Sequence, residues 1–314
     1  MKRVKRMIAL LLAALAPLPA LAGCGTEEKS ITVVVREQGS GTREAFDRVV
    51  TDGAHFLEET GADGKKVYHT AGGAVQYTKT GAVLSAVASD KNAIGYISLG
   101  SVNDSIRVVS VNGVAPTAEA VLAGDYKIQR PFVLMTRAGQ PLTARAADFM
   151  RYLQSDAARA HAGEAGCIFL EDADRRANTG RSPIPVTAFE KQESLPGGDK
   201  IVIRGSTSME QFINSAVKGY ADLYGAAPED VFDIQLEGSS VGRKAVENDD
   251  KGNVIGLSSA AVDQDGIDSF NVCLDAVAVI VNRGNTGVTD LTLAQLYAIF
   301  SGEITRFSEL NRAG

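Results

Sequence analysis

The chain contains no tryptophan, three histidines and three cysteines among its 314 residues, and aromatic side chains make up only 6% of it. Each scarcity argues against a class of function. His55, His69 and His161 are scattered, with no cysteine or carboxylate at ligand spacing, so the sequence points to ordinary surface or partly buried histidines and to no metal site. No G-x-x-x-x-G-K-[ST] run is present, which argues against an NTPase. Gly238 to Gly242 matches the G-x-S-x-G elbow of α/β-hydrolases, but that chemistry needs a histidine after its serine, and none follows His161. Basic residues are also in deficit: 32 Lys and Arg stand against 38 Asp and Glu. A nucleic-acid partner wants a basic surface, so none is expected.

What is present begins with an export signal. Lys2, Arg3, Lys5 and Arg6 form a basic n-region, and "MIALLLAALAPLPA" is an apolar stretch interrupted by Pro17 and Pro19. The run is too short and too broken for a transmembrane helix. It reads as a signal peptide over residues 1–23. The "LAGC" that follows, Leu21 to Cys24, resembles a bacterial lipobox, in which the cysteine is lipidated and becomes the mature N-terminus. The protein is therefore expected to be exported and anchored by Cys24 to the outer face of the cell membrane. Removing residues 1–23 takes the formal charge from −6 to −10. Any anion the protein binds must then be held by local dipoles rather than by a general positive field. Cys167 and Cys273 remain, either as a disulfide, which an exported protein allows, or as two buried thiols.

Beyond the leader, strands and helices alternate. "ITVVV", "AIGYISL", "FVLMT", "KIVIR", "FDIQLE", "VIGLSS" and "AVAVIVN" read as strands, with helices from about Thr42, over 80–89, 143–155 and 292–300, and from about Ser208 to Tyr224. Such alternation implies an α/β protein with mostly parallel sheets, and 45% apolar content is enough for one large core or two moderate ones. The stretch Glu171 to Lys200 is charged, carries three prolines and ends in Gly-Gly, as a linker does.

One local plan occurs three times. In "VVVREQGSGTREAF" (33–46) an apolar strand breaks at Gly39, Ser40 and Gly41 before a helix. "KIVIRGSTSMEQF" (200–212) does the same at Gly205, Ser206, Thr207 and Ser208, and "FDIQLEGSSVGRKAV" (232–246) at Gly238, Ser239 and Ser240. A helix start exposes unpaired N–H groups and the positive end of the dipole. Glycine allows close backbone approach, and hydroxyls add donors. A single such loop needs no explanation beyond an N-cap. Three of them, one carrying Arg36, point to an oxyanion site.

These segments, with "DAVAVIVNRGN", "LTLAQLYAIFSGEITRFSEL", "AIGYISLGSV" and "GDYKIQRPFVLMT", resemble the phosphate-binding proteins of bacterial phosphate ABC transporters across nearly all of 31–170 and 200–314. The order differs from the family's, in which the counterpart of 200–314 comes first. The resemblance therefore implies a circularly permuted, two-lobed periplasmic-binding-protein-like fold of type II. Lobe A would combine 31–100 with 277–314, and lobe B would combine 104–170 with 200–276. Residues 171–199 would link the usual family termini, packed loosely outside. By the same resemblance Thr207, Ser208, Ser239, Arg36, Ser40, Gly41 and Thr42 contact phosphate between the lobes.

Two positions depart from the family pattern. Ser259 stands where some members carry an Asp and others a Ser. Gln38 stands where the binding arginine often has an acidic partner; neighbouring Glu37 should point to the other side if the strand continues. The implied function is a monomeric, lipid-anchored binding protein that needs no cofactor, performs no covalent chemistry and delivers phosphate to a membrane permease. The alternatives are a binding protein for sulfate, molybdate or tungstate, a phosphate sensor and, last, a phosphoester hydrolase.

Overall fold

The computed structural model describes residues 30–170 and 186–312. The signal peptide, Cys24, residues 171–185 of the linker and Gly314 lie outside the described residues. The strands in chain order are β1 (Thr32–Arg36), β2 (Glu58–Thr60), β3 (Lys66–Tyr68), β4 (Val75–Tyr77), β5 (Ala93–Ser98), β6 (Ile106–Val111) and β7 (Gln129–Arg137). After them come β8 (Ile168–Phe169), β9 (Ile201–Gly205), β10 (Phe232–Leu236), β11 (Val254–Ser258), β12 (Ile267–Asn282) and β13 (Asp290–Leu291).

The main sheet runs β10-β9-β11-β7-β12-β5-β1-β4, with β6 and β8 also paired to β12. It is mixed rather than mostly parallel. β1 lies parallel to β4 and β5, and β9 parallel to β10 and β11, but β12 is antiparallel to β5, β6, β7 and β8, and β7 is antiparallel to β11 as well. The departure lies in the two strands that cross between the cores: β12 begins well before the apolar run at 276, and β7 runs beside it in the opposite sense.

Two hydrophobic cores flank that crossing. One holds Phe149, Ile203, Phe212, Tyr220, Phe232 and Leu257, together with Phe270, Val272 and Cys273 from the first half of β12. The other holds Phe46, Tyr96, Leu296 and Phe300, together with Val277, Val279 and Val281 from the second half. Local sequence explains the packing helices. Helix Glu210–Leu223 buries Phe212, Ile213, Ala216, Val217 and Tyr220, a stripe at helical spacing. Helix Leu293–Ser301 starts at a capping box made by Thr292 and Gln295, and stops at Gly302, whose left-handed φ of 88° suits only glycine well. Every residue of β5 is buried, because the helix Thr80–Ser89 covers one face and the Phe46–Phe300 cluster the other.

The expected lobe boundary moves. Residues 104–170 are expected with 200–276, yet Val109, Val111, Val121, Tyr126 and Ile128 pack in the core with Phe46 and Phe300. β6 pairs with the second half of β12, and that pairing carries the 106–128 segment with it. The described part of the expected loose linker is also tied down. The Phe189 ring meets Tyr152 edge-on at 5.0 Å, and Arg145 Nε donates to the Pro196 carbonyl at 2.9 Å. Cys167 and Cys273 are buried thiols with no bond between them.

Where β7 and β12 cross from one core to the other, Arg130 and Asp275 are register partners. Arg130 Nη2 and Nε lie 2.8 and 3.0 Å from Asp275 Oδ2, and both side chains are fully buried. Burial pushes the Asp275 carboxyl up and the Arg130 guanidinium down, each against the pull of its partner. Asp275→Asn leaves a buried guanidinium without its counter-charge. The variant should lose about 3–5 kcal/mol of stability, read as a lower urea midpoint with an unchanged slope.

Candidate functional site

The site is built where β1 ends. Strand alternation would send Glu37 away from Arg36, but β1 stops at Arg36, and Ser40 N–H turns back to the Glu37 carbonyl at 3.2 Å. Both side chains consequently lie together. Glu37 Oε2 is 3.0 Å from Arg36 Nε and its Oε1 is 3.0 Å from Nη2, a two-point grip on one edge of the guanidinium. The acidic partner sought at Gln38 is thus Glu37. Arg36 Nη2 also donates to the Thr78 carbonyl at 3.0 Å. The remaining Nη1 faces hydroxyls, Thr80 Oγ1 at 3.1 Å and Thr42 Oγ1 at 3.5 Å.

A second arginine holds this strand end in place. Arg43, in the short helix Gly41–Asp47, donates from Nη1 to the Arg36 carbonyl at 3.0 Å and from Nε to Asp47 at 2.9 Å. Burial pushes the Asp47 carboxyl up to about 6, against the attraction of Arg43. The Arg36 N–H points at the Tyr96 hydroxyl, 3.3 Å away.

The second and third loops meet through one backbone carbonyl. Glu237 and Gly238 N–H both donate to the Gly205 carbonyl, at 2.9 and 2.8 Å. Gly205 has φ +139°, and a Cβ there would fall 2.1 Å from the Leu257 carbonyl oxygen, so no other residue fits. The Ser206 hydroxyl accepts from Ser208 N–H as a helix cap and donates to Ser259 Oγ at 2.8 Å. Ser259 Oγ also lies 3.3 Å from Ser239 Oγ, and its N–H donates to the Ser239 hydroxyl at 3.1 Å.

The two halves of the site then close on each other. Thr42 Oγ1 is 2.9 Å from Ser208 Oγ, and Thr80 Oγ1 is 3.1 Å from Thr207 Oγ1 and 3.4 Å from Ser208 Oγ. Gly41 packs so tightly that an added Cβ would lie 2.5 Å from the Ser259 carbonyl carbon. Arg36, Ser40, Thr42, Thr207, Ser208, Ser239 and Ser259 are all buried, as is Gly41. Seven of the eight positions singled out in the sequence thus share one set of direct contacts. Ser40 precedes the helix Gly41–Asp47 without a side-chain cap bond.

Sequence reasoning missed Thr80, Ser206 and the pairing of Glu37. Ser206 lies inside a quoted loop, and Thr80-Gly81 after β4 repeats the strand, hydroxyl, glycine and helix plan that marked the other three. The histidines also need correction. His55 and His69 are not scattered in space, because β2 and β3 form a hairpin that folds both onto Glu59, four residues after His55. His161 sits apart, its ring nitrogens 2.6 Å from the Tyr152 hydroxyl and 2.7 Å from that of Ser215.

Comparison with known proteins now bears on this geometry. The PBP superfamily domain matches residues 21–157 and 190–314. A relative named phosphate-binding protein PstS 2, from Streptococcus agalactiae, is 32% identical over 321 residues, which cover 99% of this chain and all of the relative. Phosphate-binding protein PstS of Bacillus subtilis is 29% identical over 133 residues, 42% of this chain and 39% of that one. The crystal structure of a phosphate-binding protein of a phosphate ABC transporter from Streptococcus pneumoniae superposes with a TM-score of 0.63 at 30% identity, covering 90% of this chain and 99% of the other. Sequence, fold and loop geometry agree, and the chain belongs to the phosphate-binding protein family of bacterial phosphate ABC transporters, within the PBP superfamily.

Proposed function

We propose that this protein binds inorganic phosphate between its two halves, outside the cytoplasm, and passes it unchanged to the permease of an ABC transporter. One observation carries the reading. The buried Arg36 is gripped by Glu37 along one edge and turns Nη1 toward hydroxyls drawn from separate loops. Those hydroxyls bond to one another in pairs, and each can rotate to donate to an anion oxygen instead. Helix starts at Gly41, Thr80 and Ser239 add backbone N–H groups and positive dipole ends. A tetrahedral oxyanion has the oxygens to engage them, and each charge-assisted bond contributes about 1.5–3 kcal/mol.

The reading includes the rearranged chain order. Ile31 N–H donates to the Thr305 carbonyl at 2.7 Å, so the start of the fold meets its far end, as two ends joined in the usual order would. The end-to-end match to the Streptococcus agalactiae relative supports an order shared with it. The partial match to the Bacillus subtilis relative fits a chain in the usual order, of which a single pass can take in only one half. Reopening a chain is cheap where its ends lie close together on the surface.

Calorimetric titration tests the ligand. Phosphate should bind tightest of phosphate, sulfate, molybdate and tungstate, with sulfate rejected only weakly because Ser259 offers a neutral hydroxyl where an ionised acid would repel it. Arg36→Ala should lose at least about 2 kcal/mol, more than tenfold in affinity. Tighter binding of another anion, or near-native phosphate binding by the variant, overturns the assignment.

A second variant isolates the approach of the two halves. The Gly41 backbone tolerates alanine, but the added Cβ clashes with Ser259 across the site. Gly41→Ala should weaken phosphate binding by more than tenfold in calorimetric titration, and its clash with the Ser259 backbone should also lower the unfolding temperature.

The anchor is tested separately. Cys24→Ser should leave the precursor uncleaved and unlabelled when cells are fed a radioactive fatty acid. Normal processing and labelling of the variant would remove the anchor from the proposal.

A further inference from the structure

The hairpin that follows the first helix gathers three metal-binding side chains. His55 lies in the turn before β2, Glu59 in β2, and His69 one residue beyond β3. His55 Nδ1 is 3.4 Å from Glu59 Oε1, and His69 Nε2 is 3.4 Å from Glu59 Oε2. The ligating atoms of all three lie within 4.8 Å of one another, and the two imidazole rings are 5.5 Å apart between centroids. We propose that His55, Glu59 and His69 form a binding site for a borderline divalent transition metal, zinc foremost, separate from the anion site.

Distance supports this reading. Ligands held about 2.0–2.1 Å from a tetrahedral zinc stand roughly 3.3–3.4 Å from one another. Each imidazole nitrogen stands 3.4 Å from its own Glu59 oxygen, so the carboxylate faces both rings at close to that spacing. Chemistry supports it too. Two imidazoles and one carboxylate suit zinc and its neighbours, whereas magnesium and calcium take oxygen ligands. Three protein ligands leave a fourth position for water or a further group. The exposed His55 ring and the half-buried Glu59 and His69 give a metal a route in.

The scaffold behind the three residues is pinned. Asp52 Oδ1 accepts the N–H groups of Ala54 and His55, and the Thr51 hydroxyl donates to the His55 carbonyl. His69 N–H donates to the carbonyl of the buried Leu57. Glu59 Oε1 accepts Phe56 N–H at 2.8 Å, an outer contact that orients the carboxylate.

The experiment uses untagged, chelator-treated full-length protein titrated with zinc chloride in phosphate-free buffer. One equivalent should bind in the micromolar range or tighter, and magnesium and calcium should give no signal at the same concentrations. The double variant His55→Ala/His69→Ala should lose at least thirtyfold in zinc affinity. Its unfolding temperature without metal should match that of the parent, and cobalt should give the parent, but not the variant, the visible absorption of a tetrahedral site. Glu59→Gln, which preserves shape, should weaken zinc binding by at least tenfold. Absence of zinc binding by the parent, or binding unchanged in the double variant, overturns the site.

Discussion

The Arg130–Asp275 pair is the point on which the two halves of this protein turn. β7 and β12 carry chain from one hydrophobic core to the other, and at the crossing apolar packing gives way to a buried ion pair. Ser98 Oγ also donates to Asp275 at 2.8 Å, and Arg130 Nη1 reaches the Ser259 carbonyl at 3.4 Å. One pair of opposite charges thus joins a strand of each core to the loop that lines the site. Replacing such a pair with apolar residues of similar volume is often neutral for stability. Here its geometry gives it a further role, fixing the position of the Ser259 loop relative to the crossing strands.

Close backbone approach governs the site in the same way. Gly41 lies against the Ser259 carbonyl, Gly39 against Ser240, and Gly238 against the Glu37 carboxylate. Each contact joins a segment from one side of the crossing to one from the other; at Gly41 an added Cβ would strike the Ser259 backbone, and at Gly39 and Gly238 it would meet a side chain at 3.1 Å. Hydroxyls meet across the same seam, so the seam is polar and buried at once. A guanidinium placed there interacts far more strongly with a charged ligand than one exposed to water would. The carboxylate of Glu37 balances that charge along one edge and leaves the other edge for a guest.

Much of this was legible in the chain. The strand, glycine, hydroxyl and helix plan is local, because a helix start needs its N–H groups satisfied whatever surrounds it. It therefore marked Arg36, Ser40, Thr207, Ser208 and Ser239 without knowledge of the fold, whereas Thr42 came only with the family resemblance. The helices expected over 80–89, from about Ser208 to Tyr224 and over 292–300 form at Thr80–Ser89, Glu210–Leu223 and Leu293–Ser301. Thr80 carried the same mark in weaker form, a lone Thr-Gly at a helix start, and only its contact with Arg36 and Thr207 reveals its part.

Other features had no local signature. The strand end at Arg36 decides that Glu37 is its partner, and strand ends depend on what the neighbouring chain can pair. The antiparallel course of β12, the placement of 106–128 with the core around Phe300, and the meeting of His55 with His69 are all products of long-range pairing. The sequence by itself determined the local elements, the hydroxyl-bearing loops and the family to which they belong, because hydrogen-bond demand and apolar periodicity act over a few residues. Only the tertiary structure decided which loops face one another, which acid holds which arginine and where the two cores divide. Those outcomes depend on which of many compatible strand pairings buries the most apolar surface while leaving no buried charge alone.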